Sequence, residues 1–264
     1  MQQDSVAGTA ARPVYRRADL ARVLAPRSLA IVGASPNPAS FGNSTLDNLR
    51  DFPGPVYLVN PRYPEIAGRT CYPSIAALPE TPDCVVLTVG RELVEPVVLE
   101  CAERKVGGAV IFASGYAETG KAERRAQQQR LGEIARSSGL RIIGPNCVGV
   151  MNYVDSLALT FARGVELHKV RAPAIGLASQ SGAMGHAVGQ AAHMGMSFSH
   201  LLTAGNSCDV DTADYVAYLA EDPGCSVVVC IFEGLADPAR LMQAAQIARA
   251  NDCLLYTSPS PRDV

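Results

Sequence analysis

The sequence carries almost no net charge, because 23 Lys and Arg stand against 25 Asp and Glu, a balance of -2. That leaves no polyanion footprint, so neither a nucleic acid nor an anionic membrane is an expected partner. There is no C-x-x-C. The eight cysteines (71, 84, 101, 147, 208, 225, 230 and 253) sit mostly in apolar strand or helix patterns. This is the usage of reduced cytoplasmic thiols, not of disulfides or metal ligands, and no metal site is expected. No apolar run reaches the ~18 residues of a membrane span, and the polar opening segment around Arg16 and Arg17 holds no signal-peptide core. A cytoplasmic protein with a disordered segment over residues 1–18 follows as the expectation.

With 48% hydrophobic residues the chain can bury one large core or two medium ones. Strand-length apolar runs recur with helical segments between them: LAIVG at 29, PVYLVN at 55, CVVLTV at 84, GAVIFA at 108 and RII at 141. That alternation predicts a parallel sheet with helices on both faces. Leu93, Val94, Val97, Val98 and Cys101 share a helical face, as do Leu131, Ile134 and Ala135, and Gly139 stops the latter helix. Residues 151–171 show no periodicity, which places a boundary at 155–172 between a first domain at 19–155 and a second at 172–252. The second repeats the pattern with strands near 174, 197 and 226. Three β-α units are too few for a closed doubly wound domain, so a fourth strand should begin near 252. CLLYTSPSPRDV stands there instead, and residues 253–264 are expected to be a non-native tail resembling translated adapter.

The first chemical signal is Ser28 to Gly42, SLAIVGASPNPASFG. An apolar strand stops at Gly33 and turns into small residues, offering free backbone N-H groups and a helix dipole to an anion. G-x-G-x-x-G is missing, since no glycine follows Gly33 until Gly42, and Pro36 and Pro38 impose an extended detour. The second strand ends Asn60-Pro61-Arg62, without the acid that NAD enzymes use for the ribose. Arg62 would suit a phosphorylated ribose, which leaves NADP and coenzyme A open.

Three further turns follow strands. Gly144-Pro145-Asn146-Cys147-Val148-Gly149 makes a rigid turn at the carboxyl edge, where open α/β sheets bind ligands. A pocket-shaping role fits Cys147 better than a nucleophilic one, because His168 would have to reach it across a loop. Ser179-Gln180-Ser181-Gly182 opens a helix, with Ser181 as its cap and bare N-H groups suited to phosphate or carboxylate. It is not G-x-S-x-G, so hydrolase chemistry is not expected. Asp209 and Asp211 are expected to cap the next helix, and Glu233, at a strand end, either points into the same cleft or is an ordinary charged loop residue. Packing or surface positions suit all four histidines; only His186, in the first turn of the helix after Ser181, stands apart.

VGASPNP, YLVNPR, YPSIAALPETPD, GPNCVG, SQSGAMG, GNSCDVD and FEG follow in that order. Over residues 20–252 the chain thereby resembles the alpha part of the NDP-forming acyl-CoA synthetases: ADP-forming acetate-CoA ligases, with succinyl-CoA ligase alpha subunits more distant. The resemblance implies an α/β fold, a Rossmann-like CoA-binding domain followed by an incomplete flavodoxin-like domain. It implies that Gly33, Ala34, Ser35 and Pro36 cradle the CoA phosphates, that Asn60, Pro61 and Arg62 border the nucleotide, and that Asn146 and Cys147 lie near the thiol. It places Gln180 and Ser181 at a helix facing a phosphoryl group and matches Glu233 to the glutamate that steadies a phosphohistidine. The implied reaction joins a small carboxylic acid, CoA and ATP through acyl phosphate and phosphohistidine, releasing ADP and phosphate. ATP and Mg would enter through an ATP-grasp domain or beta subunit, and the complete assembly would be an oligomer. The family's phosphoryl-carrying histidine lies in a Ser-His-Thr-Gly type loop that this chain does not reach, so the polypeptide alone is expected to bind CoA without turnover. The rival readings are an NADP-dependent oxidoreductase and a CoA-sensing module of a protein acetyltransferase.

Overall fold

The computed structural model describes residues 12–235 and 237–258. In chain order the first layer contains α1 (Arg17–Leu24), β1 (Leu29–Val32), α2 (Phe41–Asn48), β2 (Val56–Val59), β3 (Glu65–Ile66) and β4 (Arg69–Tyr72), then β5 (Cys84–Leu87), α3 (Arg91–Glu103), β6 (Gly108–Ile111), α4 (Ala122–Ser138) and β7 (Arg141–Ile143). Every residue of β1, β5 and β6 is buried. That is the signature of parallel strands covered on both faces, and it is why their sequences are unbroken apolar runs. The seven strands take the order β3-β4-β2-β1-β5-β6-β7, parallel except for the β3–β4 pair. The chain leaves β1 toward β2 and later returns to its other side as β5, so a topological switch point lies at the carboxyl end of β1.

The second sheet holds β8 (Gly149–Asn152), β9 (Leu157–Thr160), β10 (Ile175–Ser179), β11 (Phe198–Thr203), β12 (Val227–Ile231) and β13 (Leu254–Ser258), with α5 (Gly182–Gly189), α6 (Thr212–Ala220) and α7 (Pro238–Ala250) between them. Its order is β13-β12-β10-β11-β8-β9, with β10 to β13 parallel and the β8–β9 hairpin antiparallel on the β11 edge. β10 lies between β11 and β12, which makes a second switch point. α5 gives way at Gln190–Met194 to a 3-10 turn.

Two local expectations are corrected. Residues 151–171 are not irregular throughout: β9 and the end of β8 lie there, while 161–171 form neither helix nor strand, and the chain enters the second sheet at Gly149. All eight residues of this hairpin are buried, Asn152 and Thr160 among them, so it lacks the alternation that marks a half-exposed strand. Residues 12–18 are not disordered. Tyr15 is buried, Arg12 and Tyr15 bond to Asp214, and α1 begins at Arg17. At the far end, Leu254–Ser258 pairs with β12 as a parallel strand, at the place where a fourth strand was expected to begin. The expectations for residues 1–11 and 259–264 lie outside the described residues.

Among the described residues no helix is long and apolar enough to cross a membrane.

Candidate functional site

The first cleft, of about 460 Å³, opens where β1, β2 and β5 end. Gly33 follows β1 with φ +93°, the left-handed region. A Cβ there would lie 2.8 Å from Thr88 Oγ1 and 2.9 Å from Val89 Cγ1, so the backbone is stripped of side chain at the cleft wall. Gly42, in the first turn of α2, backs onto it: its Cβ would stand 2.9 Å from the Gly33 carbonyl oxygen. This close helix–strand approach is a role that dinucleotide folds also give to a glycine. The proline detour is held by polar side chains. Asn37 N donates to Ser35 Oγ (3.1 Å), and Ser40 caps α2 by accepting from Asn43 N (3.1 Å).

Asn60 ties the two strand ends together, its Nδ2 donating to the Ala34 carbonyl (2.7 Å) while its Oδ1 accepts from Arg62 N (3.0 Å). Thus Gly33, Ser35, Asn60, Pro61 and Arg62 meet in one cleft as expected from the sequence. Ala34, 1% exposed, lies beneath it, and Pro36 is exposed away from its wall. Leu93 departs from its expected place. It is 58% exposed and joins Pro96, Val97, Tyr63 and Pro73 as an apolar wall, while Val94, Val98 and Cys101 form the buried face of α3. Thr88, Leu93 and Gly42 were missed because their roles arise from spatial neighbours.

The second cleft, of about 610 Å³, lies at the carboxyl ends of β10, β11 and β12. Gln180 and Glu233 both line it. The Gln180 carboxamide is spent on the neighbouring loop: Oε1 accepts from Glu233 N and Gly234 N, and Nε2 donates to the Gly234 carbonyl (2.7 Å). Gln180 therefore holds the segment that carries Glu233. Among the described residues no hydrogen bond engages the Glu233 carboxylate. Ser181 caps α5, accepting from Met184 N (3.4 Å), and Asp211 caps α6 in a reciprocal box with Asp214. Asp209 does not cap; its carboxylate accepts from Tyr15 Oη (2.9 Å) and Ile142 N (3.0 Å).

Arg240 is the cation of this cleft, yet it is saturated. Nε and Nη2 bond Asp211, Nη2 also bonds Asp214 (2.8 Å), and Nη1 bonds the carbonyls of Arg12 (2.7 Å) and Pro13 (3.2 Å). Burial opposes the charge on Asp211, but the Arg240 hydrogen bonds hold its carboxyl below the usual range. Burial raises Asp209 and Asp214.

Asn146 and Cys147 occupy the link between the sheets. Asn146 is exposed, has φ 56°, and donates from Nδ2 to Asn206 Oδ1 (3.1 Å). Asn206 in turn donates to Glu118 and Gln128, and its backbone N reaches the Pro145 carbonyl (2.9 Å). Cys147 is 3% exposed, donates to the Ile111 carbonyl (3.4 Å), and burial pushes its thiol up to about 12. A thiol so placed supports the turn and is unsuited to attack. His168 stacks on Tyr153, and His186 bonds the Gly182 carbonyl through Nδ1 (3.1 Å).

Family comparison matches residues 27–153 to the CoA binding domain and residues 172–258 to the succinyl-CoA ligase like flavodoxin domain. The chain is 38% identical over 226 residues to acetate–CoA ligase [ADP-forming] I of Archaeoglobus fulgidus, covering 85% of this chain and 32% of that protein. It is 35% identical over 223 residues to acetate–CoA ligase [ADP-forming] II subunit alpha of Pyrococcus furiosus, covering 84% and 48%. A solved dinucleotide-forming acetyl-coenzyme A synthetase 1 of Ca. Korarchaeum cryptofilum, in complex with phosphate and ADP, superposes with TM-score 0.83 at 30% identity, over 92% of this chain and 52% of that one. The chain thus spans about a third to a half of the length of these curated relatives.

Proposed function

We propose that this chain, which pairs a CoA-binding domain with a succinyl-CoA ligase-like flavodoxin domain and has ADP-forming acetate–CoA ligases as homologues, is the CoA-holding part of an acid–CoA ligase. The observation that carries the reading is the first cleft: one positive-φ glycine at the end of β1, no acid at the end of β2, and Arg62 in its place. Gly33 leaves room for a diphosphate to approach the backbone, Arg62 offers a bidentate partner to a ribose phosphate, and the Leu93–Val97 wall suits apolar contact. Those residues fit coenzyme A.

The reading extends to the second cleft. There Glu233, held from its backbone by Gln180, would steady an imidazolium, and the N-terminus of α5 would face a phosphoryl group. The overall reaction would join a small carboxylic acid to CoA at the expense of ATP, by way of acyl phosphate and phosphohistidine, releasing ADP and phosphate. ATP and Mg would be brought by an ATP-grasp domain or a beta subunit. Asn146, standing on the link between the sheets, would border the thiol end, with Cys147 supporting it from beneath.

Calorimetric titration tests the reading. CoA should bind at a single saturable site and NADP should not; NADP binding without CoA binding would falsify the assignment. Dephospho-CoA should bind about tenfold more weakly than CoA, roughly 1.4 kcal/mol for a charged phosphate contact. Arg62→Ala should erase that difference by weakening CoA alone. Equal loss for both ligands would remove Arg62 from the phosphate site.

A further inference from the structure

We propose that residues 12–16 form a bolt between the two domains, fixing the pose of the second cleft relative to the first. The Tyr15 ring lies under two guanidinium groups, with Arg12 Cζ 3.7 Å and Arg141 Cζ 3.9 Å from its centroid. Its hydroxyl donates to Asp209 Oδ1 (2.9 Å) and accepts from Arg141 Nη1 (3.2 Å). Asp209 reaches on to the Ile142 N-H (3.0 Å), so a side chain before α6 is joined both to this segment and to β7. Tyr15 N donates to Asp214 Oδ1 (2.7 Å), which Arg12 Nη1 also engages (3.0 Å). Arg16 pairs with Glu221, and Arg17 Nε donates to Asp222 (3.1 Å) just beyond it. The four acids served by residues 12–17, Asp209, Asp214, Glu221 and Asp222, all belong to α6 or its flanks.

The attachment points give the bolt its consequence. Asp211 is at once the cap of α6, a partner of Arg240 and a wall of the second cleft. Arg240 gives both Nη1 hydrogens to the Arg12 and Pro13 carbonyls, so the segment also fixes the cation of that cleft. On the other side, Arg141 and Ile142 begin β7, which runs directly into the Gly144–Gly149 link between the sheets. That link contains three positive-φ residues, Gly144, Asn146 and Gly149, and makes no helix or strand until β8. A buried network in which nearly every partner is satisfied favours one arrangement strongly, since releasing one member leaves a buried charge unpaired. Asp214, with a fully buried side chain, is that charge.

The bolt is read from this geometry alone; only the roles of the two clefts it holds rest on the function proposed above. The test measures an interdomain distance in the full chain by pulsed electron spin resonance. Labels go at Leu99→Cys on α3 and Met242→Cys on α7, both exposed, in a Cys208→Ser background because Cys208 is the native thiol that is not buried. The parent should give one narrow distance distribution. Arg12→Ala and Tyr15→Ala should at least double its width while the affinity for CoA changes less than twofold. Tyr15→Phe keeps the ring between the guanidiniums and should restore most of the narrowness. An unchanged distribution in folded variants overturns the bolt, as does a loss of CoA affinity that tracks the broadening. If the alanine variants do not fold, Arg12→Lys, which cannot give two parallel bonds to the Asp214 carboxylate, decides it by the same criterion. A parent that binds no CoA sinks the proposed function but leaves the distance measurement intact.

Discussion

At the scale of single residues, His200 carries the clearest pH signature. It is fully buried in β11, edge-on to Tyr218 at 5.6 Å, and among the described residues neither ring nitrogen has a hydrogen-bond partner. Burial pulls its pKa from 6.5 down to about 4; Asp222 and Asp155 oppose this and Arg17 adds to it. The unfolded chain therefore binds a proton that the folded chain refuses between those two values. The stabilising contribution is complete above pH 6.5 and is lost as pH falls toward about 4. Urea unfolding followed by circular dichroism should show that decline, and His200→Phe, which keeps a ring against Tyr218, should flatten it. Parallel pH curves for the two proteins would remove His200 as the cause. Gly33→Ala makes the opposite kind of test, because the sequence does show it. The new methyl would meet Thr88 Oγ1 and Val89 Cγ1 in a left-handed backbone, costing about 1–3 kcal/mol. It should depress both the melting temperature and CoA affinity; a neutral result would deny the close approach. Gly33 and Arg62 were legible because their meaning is local. The Gln180 clamp was not, since its partner lies 53 residues away.

Among the elements, legibility follows burial pattern. β1, β5 and β6 are apolar from end to end and were visible as runs. β8 and β9 are just as buried, but their sequences GVMN and LALT are short and mixed, and nothing in them tells a strand from a loop. Asn152 satisfies its buried amide on the Leu24 carbonyl (3.0 Å) and Asp155 (2.7 Å), partners that no local pattern indicates. The caps at Ser181 and Asp211 were read correctly from the local pattern, while Asp209 turns instead to Tyr15 and Ile142. Ser181 holds the first turn of α5 through Met184 N, so Ser181→Ala should cost about 1 kcal/mol. Because α5 is short and only Gly185 of it is buried, hydrogen exchange should locate the loss in residues 182–189 and not in α6. Protection unchanged in α5 would show that packing, and not the cap, holds the helix.

For the whole molecule, the two-domain α/β architecture was legible but the place where one sheet yields to the other was not. The chain crosses at 144–148 and sends β8 and β9 to the β11 edge before β10 begins. β8 pairs Asn152, Met151 and Val150 with His200, Leu201 and Leu202, so the hairpin covers what would otherwise be an open edge of the second sheet. Met151 and Ala158 also pack in one cluster with Leu177, Phe198 and Leu201. A fragment of residues 172–264 would therefore expose both unpaired strand groups and apolar surface, the combination that promotes edge-to-edge association. A fragment of residues 148–264 keeps the hairpin, while both fragments lack residues 12–16 and so share that deficit. The longer fragment should remain monomeric and melt cooperatively where the shorter one aggregates, as read by light scattering and calorimetry. Equal behaviour would mean that β8 and β9 decorate the second sheet without completing it. The sequence boundary at 155–172 would then be the better description of how this chain divides.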